Sequence, residues 1–89
     1  MKPVAKLENW AVVDSVASQS FQELQPGKHL TGYVSGHTNF QNAKFIYTSV
    51  IIEVDLNDGV VETRNTTYQL GRPSDEYRSW YQQRRAPAA

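Results

Sequence analysis

"FIYTSVIIEVDLNDGVVETR", residues 45–64, carries the strongest structural signal in the chain. From Ile46 to Leu56 the even positions read Ile46, Thr48, Val50, Ile52, Val54 and Leu56. That is a period-two apolar face, so the spacing predicts a long strand with these side chains in the core. Asn57-Asp58-Gly59 is a tight-turn signal, because Asp-Gly tolerates positive φ. "VVETR" then returns as an antiparallel strand. A two-residue turn sets Val61 and Thr63 on the face of Val54 and Leu56, and places Asp55 opposite Glu62 and Glu53 opposite Arg64. The odd positions of the long strand are anomalous. Phe45, Tyr47 and Ile51 are apolar on the face that Glu53 and Asp55 make polar.

The rest of the fold is read outward from this hairpin. "TTYQL" (66–70) wants Tyr68 and Leu70 inside, which conflicts in parity with Val61 and Thr63. A bulge or turn near Asn65 resolves the conflict. Upstream, "HLTGYVSGH" (29–37) reads as a strand with Leu30, Gly32 and Val34 inward. Trp10 to Asp14 reads as a first strand. Between them, Ser20 and Glu23 have capping-box spacing, but Pro26-Gly27 ends any helix at once, leaving a short helical turn or an irregular loop. "GRPSDEYRSWYQQRR" (71–85) reads as a helix capped by Ser74, acidic in its first turn and basic in its last. Its Tyr77, Trp80, Tyr81 and Arg84 share one face. The expected fold is α+β and β-rich: a small antiparallel curled sheet or open barrel of four to five strands with a C-terminal helix. Residues 1–85 form a single domain, and 86–89 a frayed tail.

Composition narrows the function. With 89 residues the chain buries only roughly 60–65% of its unfolded surface. It has no cysteine, which removes disulfides, thiolate metal sites and thiol nucleophiles. Nine basic and nine acidic residues cancel, unlike the positive excess of a general nucleic-acid binder. No stretch of ~18 apolar residues is present to span a membrane, and no apolar run near Met1 suggests a signal peptide. A cytoplasmic location is expected, and the sequon at Asn65 is then a chance match.

Two blocks carry a family likeness. In the first, Gly32, Val34, Gly36, His37, Phe40, Ile46, Thr48 and Ser49 match a Gly-x-Val-x-Gly-His-Pro-x-Phe-x-Asp-Gly pattern followed by Ile-x-Thr-Ser. In the second, Tyr68, Leu70, Gly71, Pro73 and Tyr77 match Tyr-x-Leu-Gly-x-Pro-x-x-x-Tyr. Residues 30 to 80 thus resemble a group of small bacterial proteins of unassigned function, of the kind seen in chromosomes, prophages and mobile gene cassettes. The resemblance implies no particular activity. Thr38 stands where the pattern has Pro, and Asn42-Ala43 where it has Asp-Gly. Ala43 disfavours a left-handed turn, so a different loop shape is expected here.

The chemistry-bearing residues do not form an enzyme's pattern. His29 and His37 lie ~26 Å apart on an extended strand and cannot share a metal. His37 suits a hydrogen bond that holds its own loop. Glu53 and Asp55 flank a hairpin tip, where exposed acids are ordinary. No nucleophile elbow, phosphate loop or dinucleotide fingerprint is present. Neither catalysis, a metal nor a cofactor is expected.

What remains is binding. Phe45, Tyr47 and Ile51, with Tyr33 on the neighbouring strand, form an apolar strip beside the loop of His37 and Phe40. Either this strip meets a protein partner or a second copy of the chain, or the helix face of Tyr77, Trp80 and Tyr81 covers it. An alternative is RNA or single-stranded DNA bound by Arg64, Arg72, Arg78, Tyr81, Arg84 and Arg85. Another is a small-ligand pocket between helix and sheet, lined by Tyr33, Tyr68 and Trp80.

Overall fold

The computed structural model describes residues 2–37 and 41–85. Five strands and a helix follow in order: β1 (Val4–Val13), β2 (His29–Ser35), β3 (Lys44–Asp55), β4 (Val60–Thr63), β5 (Thr67–Leu70) and α1 (Asp75–Arg85). Each strand pairs antiparallel with the next. β1 and β5 then pair parallel and close the sheet into a ring. The fold is α+β and β-rich, with one C-terminal helix.

Closure depends on residues N-terminal to the strand expected at Trp10. β1 begins at Val4, and the pairs Val4–Thr67 to Leu7–Leu70 make the closing seam. Ala5 and Leu7 point inward while Lys6 and Glu8 point out. Asn9, with φ 51°, sits in a bulge between Glu8 and Ala11. The bulge bends the strand, and Ala11, Val12 and Val13 are all buried beyond it.

β3 corrects the simple alternation. Between Tyr47 and Val50 it advances three residues while β2 advances two. Between Ile51 and Glu53 it advances two while β4 advances one. Each extra residue changes which side chains face inward. The inward set is Ile46, Thr48, Ile51 and the half-buried Val54. Ile51, expected outside, is 2% exposed, and Ile52, expected inside, is 48% exposed. The two irregularities let one long strand pair with β2 over its first half and β4 over its second, bending the sheet toward closure.

The β3–β4 hairpin is also longer than two residues. Asp55 pairs with Val60, so residues 56–59 make the connection. The Asp55 carboxylate accepts the Asn57 and Asp58 amides at 3.1 and 3.3 Å, shaping an Asx turn, and Gly59 takes φ 66°. Leu56 is thereby carried out of the core. Glu53 faces Glu62 instead of Arg64, and Lys2 forms an ion pair with Glu62. Val61 and Thr63 do face inward. The parity conflict with Tyr68 is relieved by a turn at Arg64 and Asn65. There the Thr63 hydroxyl donates to the Thr66 carbonyl at 2.7 Å and accepts the Thr66 amide at 3.1 Å.

The core is Leu7, Val12, Leu30, Val34, Ile51 and Val61, with Ile46 and Tyr68 at its margins. Helix α1 packs outside the ring. Ser74 caps it, its hydroxyl accepting the Tyr77 amide at 3.1 Å. Tyr77 is buried against Trp10 and Phe21, and its hydroxyl donates to the Gln22 carbonyl at 2.6 Å. Pro73 bridges to Trp10, whose indole N–H donates to the Gly71 carbonyl at 3.0 Å. The segment between β1 and β2 contains no helix; it is an irregular loop tied back by an isolated bridge from Phe21 to Val13. Among the described residues no helix is long and apolar enough to cross a membrane.

Candidate functional site

The aromatic strip is present on the β2–β3 surface, shorter than its sequence suggests. Tyr33 and Phe45 are cross-strand partners, and Tyr47 lies two residues further along β3. Their rings touch edge to face, with centroids 5.2 Å apart for Tyr33–Phe45 and 5.6 Å for Phe45–Tyr47. Tyr33, Phe45 and Tyr47 are 44%, 44% and 39% exposed. Ile51 does not join them, because the β3 irregularity turns it into the core. Nor does α1 cover the strip. Its aromatic face packs on Trp10 and Phe21, and the rings of Tyr77 and Trp80 stack on each other. Of the two arrangements open in the sequence, the molecule adopts the one that leaves these three rings on the surface.

One side of the strip is acidic. A hollow of about 380 Å³ beside it is lined by Asn9, Thr31, Tyr33 and Phe45 and by Asp75 and Glu76 from the start of α1. Glu8 is the cross-strand neighbour of Tyr33 on its other side, but its carboxylate turns away to accept the Arg72 amide at 3.1 Å.

The described ends of the segment that leads into β3 are held by hydrogen bonds. His37 is buried, and its Nε2 lies 2.9 Å from the Thr66 hydroxyl. The Asn42 carboxamide oxygen accepts the Gly36 amide at 3.0 Å, and the Ala43 amide donates to the Val34 carbonyl at 2.7 Å. Ala43 takes φ 66°. The left-handed turn that alanine disfavours is therefore made, at a cost of about 1–2 kcal/mol. Phe40, the remaining candidate of this group, lies outside the described residues. His37, Thr48, Ser49, Thr66 and Tyr68 border a polar hollow of about 210 Å³ between β3 and the β4–β5 turn. Burial raises the Tyr68 pKa, opposed by a hydrogen bond to Thr66.

The arginine set is divided between the turn before β5 and the segment of α1 with its approach. Arg64 is at the turn before β5, whereas Arg72 follows β5 and precedes the helix. Arg84 pairs with Glu23 at 3.0 Å and lies 5.0 Å from the Trp80 ring centre. Arg78 and Tyr81 sit on α1 beside Glu23 and Trp10, and the Arg85 side chain lies outside the described residues. The expected small-ligand pocket is likewise dispersed. Tyr33 is in the strip, Tyr68 is buried at the core margin, and Trp80 packs on Phe21. A hollow of about 370 Å³ does lie between helix and ring, but Trp10, Leu24, Leu56, Pro73, Tyr77 and Arg78 line it. Sequence reasoning missed both leucines there: Leu24 belongs to no periodic pattern, and Leu56 ends the period-two face that the spacing assigns to the core.

Among the described residues no three His, Asp or Glu side chains are grouped to hold a metal ion. His29 Nδ1 is 2.9 Å from the Thr48 carbonyl oxygen. The chain matches no family model, no curated protein and no solved structure.

Proposed function

We propose that this protein is a non-catalytic binding module that associates with a protein surface, another copy of itself included, through Tyr33, Phe45 and Tyr47. The observation that carries this reading is the exposure of three aromatic rings, Phe45 touching the other two, which the aromatic face of the chain's own helix leaves uncovered. Aromatic side chains bury large area at small entropic cost and dominate protein interfaces. A ring cluster on paired strands is also rigid, so little ordering is required on binding.

The acidic rim of Asp75 and Glu76 favours a partner whose apolar patch is flanked by basic residues. The same rim repels a phosphate backbone, and the pairing of Arg84 with Glu23 gives nucleic acid less support as a ligand.

The test is sedimentation velocity of the wild-type chain and of Tyr47→Asp over a wide concentration range, each also titrated with candidate partners. Association in the wild type and its loss in Tyr47→Asp, with an unchanged circular dichroism spectrum, is the expected result. Equal association by both proteins would refute the strip as the interface. A steep loss of nucleic-acid binding with salt would favour the arginine reading instead.

A further inference from the structure

From the hollow between α1 and the ring, away from the aromatic strip, we infer a second site that takes a small aromatic or branched apolar carboxylate. Its walls are Trp10, Leu24, Leu56, Pro73, Tyr77 and Tyr81, and its volume of about 370 Å³ falls in the range of small-molecule sites. The wall's polar atoms are largely committed elsewhere. The Trp10 indole N–H donates to the Gly71 carbonyl at 3.0 Å, and the Tyr77 hydroxyl donates to the Gln22 carbonyl at 2.6 Å. Those two aromatics therefore present rings, not hydrogen-bonding groups, to an occupant.

The charged groups at the rim set the sign of the ligand. Glu23, the acid on one wall, is already paired with Arg84 at 3.0 Å. Arg78 is exposed and has no ion-pair partner among the described residues. Gln82 stands one helical turn on from Arg78, on the same face, and also lines the hollow. A satisfied carboxylate, an unpaired guanidinium and a carboxamide donor above an apolar floor complement an anion with a flat apolar body. Leu56, 75% exposed at the tip of the β3–β4 hairpin, gains cover when that body is seated.

A matched pair of probes tests the site: 1-naphthylacetate and its neutral amide, titrated into ¹⁵N-labelled protein at low salt. The acid is expected to give saturable shifts confined to Trp10, Leu24, Leu56, Tyr77 and their neighbours. The amide is expected to bind about five- to tenfold more weakly, as for a partly exposed charged contact. Arg78→Gln should bring the acid down to the amide's affinity, leave the amide unchanged and leave the melting temperature unchanged. Tyr47→Asp should leave both titrations unchanged, which separates this site from the strip. Absence of saturable shifts, shifts centred elsewhere, or equal affinity for acid and amide would overturn the proposal.

Discussion

Ile51 and Ile52 are chemically identical neighbours in opposite environments, and the difference was not readable from the sequence. Alternation across Phe45 to Leu56 is correct for Ile46 and Thr48. It then fails because a bulge shifts the phase and five consecutive residues, Val50 to Val54, contain four that could plausibly be buried. Ile51→Ala should cost about 2–5 kcal/mol in urea unfolding, and Ile52→Ala less than about 1 kcal/mol. Equal costs would show that the phase of β3 is wrong. Tyr77 was legible, since its helical spacing marked it for burial. Burial is the main reason its hydroxyl is hard to ionise; the potentials of Tyr81 and Glu23 add to the effect and Arg84 opposes it. In the unfolded chain the group titrates at its ordinary value of 10.0, while the folded chain keeps the proton. Its contribution to stability is therefore full below that pH and is lost as pH rises above it. Tyr77→Phe should flatten the alkaline fall in stability and, at neutral pH, cost about 1 kcal/mol for the lost hydrogen bond to Gln22. An unaltered alkaline slope would assign the fall to other groups.

At the scale of elements, the hairpin, the helix and its cap were legible because each rests on local chemistry: Asp-Gly in the turn, Ser74 before Asp75 and Glu76, and aromatic residues at helical spacing. The first half of β1 was not. Its inward residues include small Ala5, its outward ones are Lys6 and Glu8, and its partner β5 is about 60 residues distant in sequence, so no local propensity announces it. Gly32 shows how closely β1 and β2 approach. A Cβ placed there would lie 2.8 Å from Leu7 Cγ and 3.0 Å from the Glu8 carbonyl oxygen. Backbone cannot yield as a flexible side chain can, so Gly32→Ala should lower stability by about 1–3 kcal/mol. A neutral result would mean that the two strands have room to part.

For the whole molecule, ring closure explains why the aromatic strip is outside. The five strands enclose one small core, and that interior is filled by Leu7, Val12, Leu30, Val34, Ile51 and Val61. The helix has its own site on Trp10 and Phe21. Among the described residues the rings of Tyr33, Phe45 and Tyr47 thus pack on one another at the surface, and not in the core or under the aromatic face of the helix. The sequence named these three residues but could not place the helix, because helix docking is decided by tertiary contacts that both candidate faces satisfy equally on paper. The most direct test is a paired capture experiment with immobilised wild-type chain and immobilised Tyr47→Asp. Each is challenged with untagged copies of the chain and with a nuclease-treated cell lysate. The account predicts that the wild type retains its own copies or a defined protein, and that Tyr47→Asp, folded to the same melting temperature, retains neither. Identical retention by the two baits, or retention that vanishes with nuclease, would contradict it.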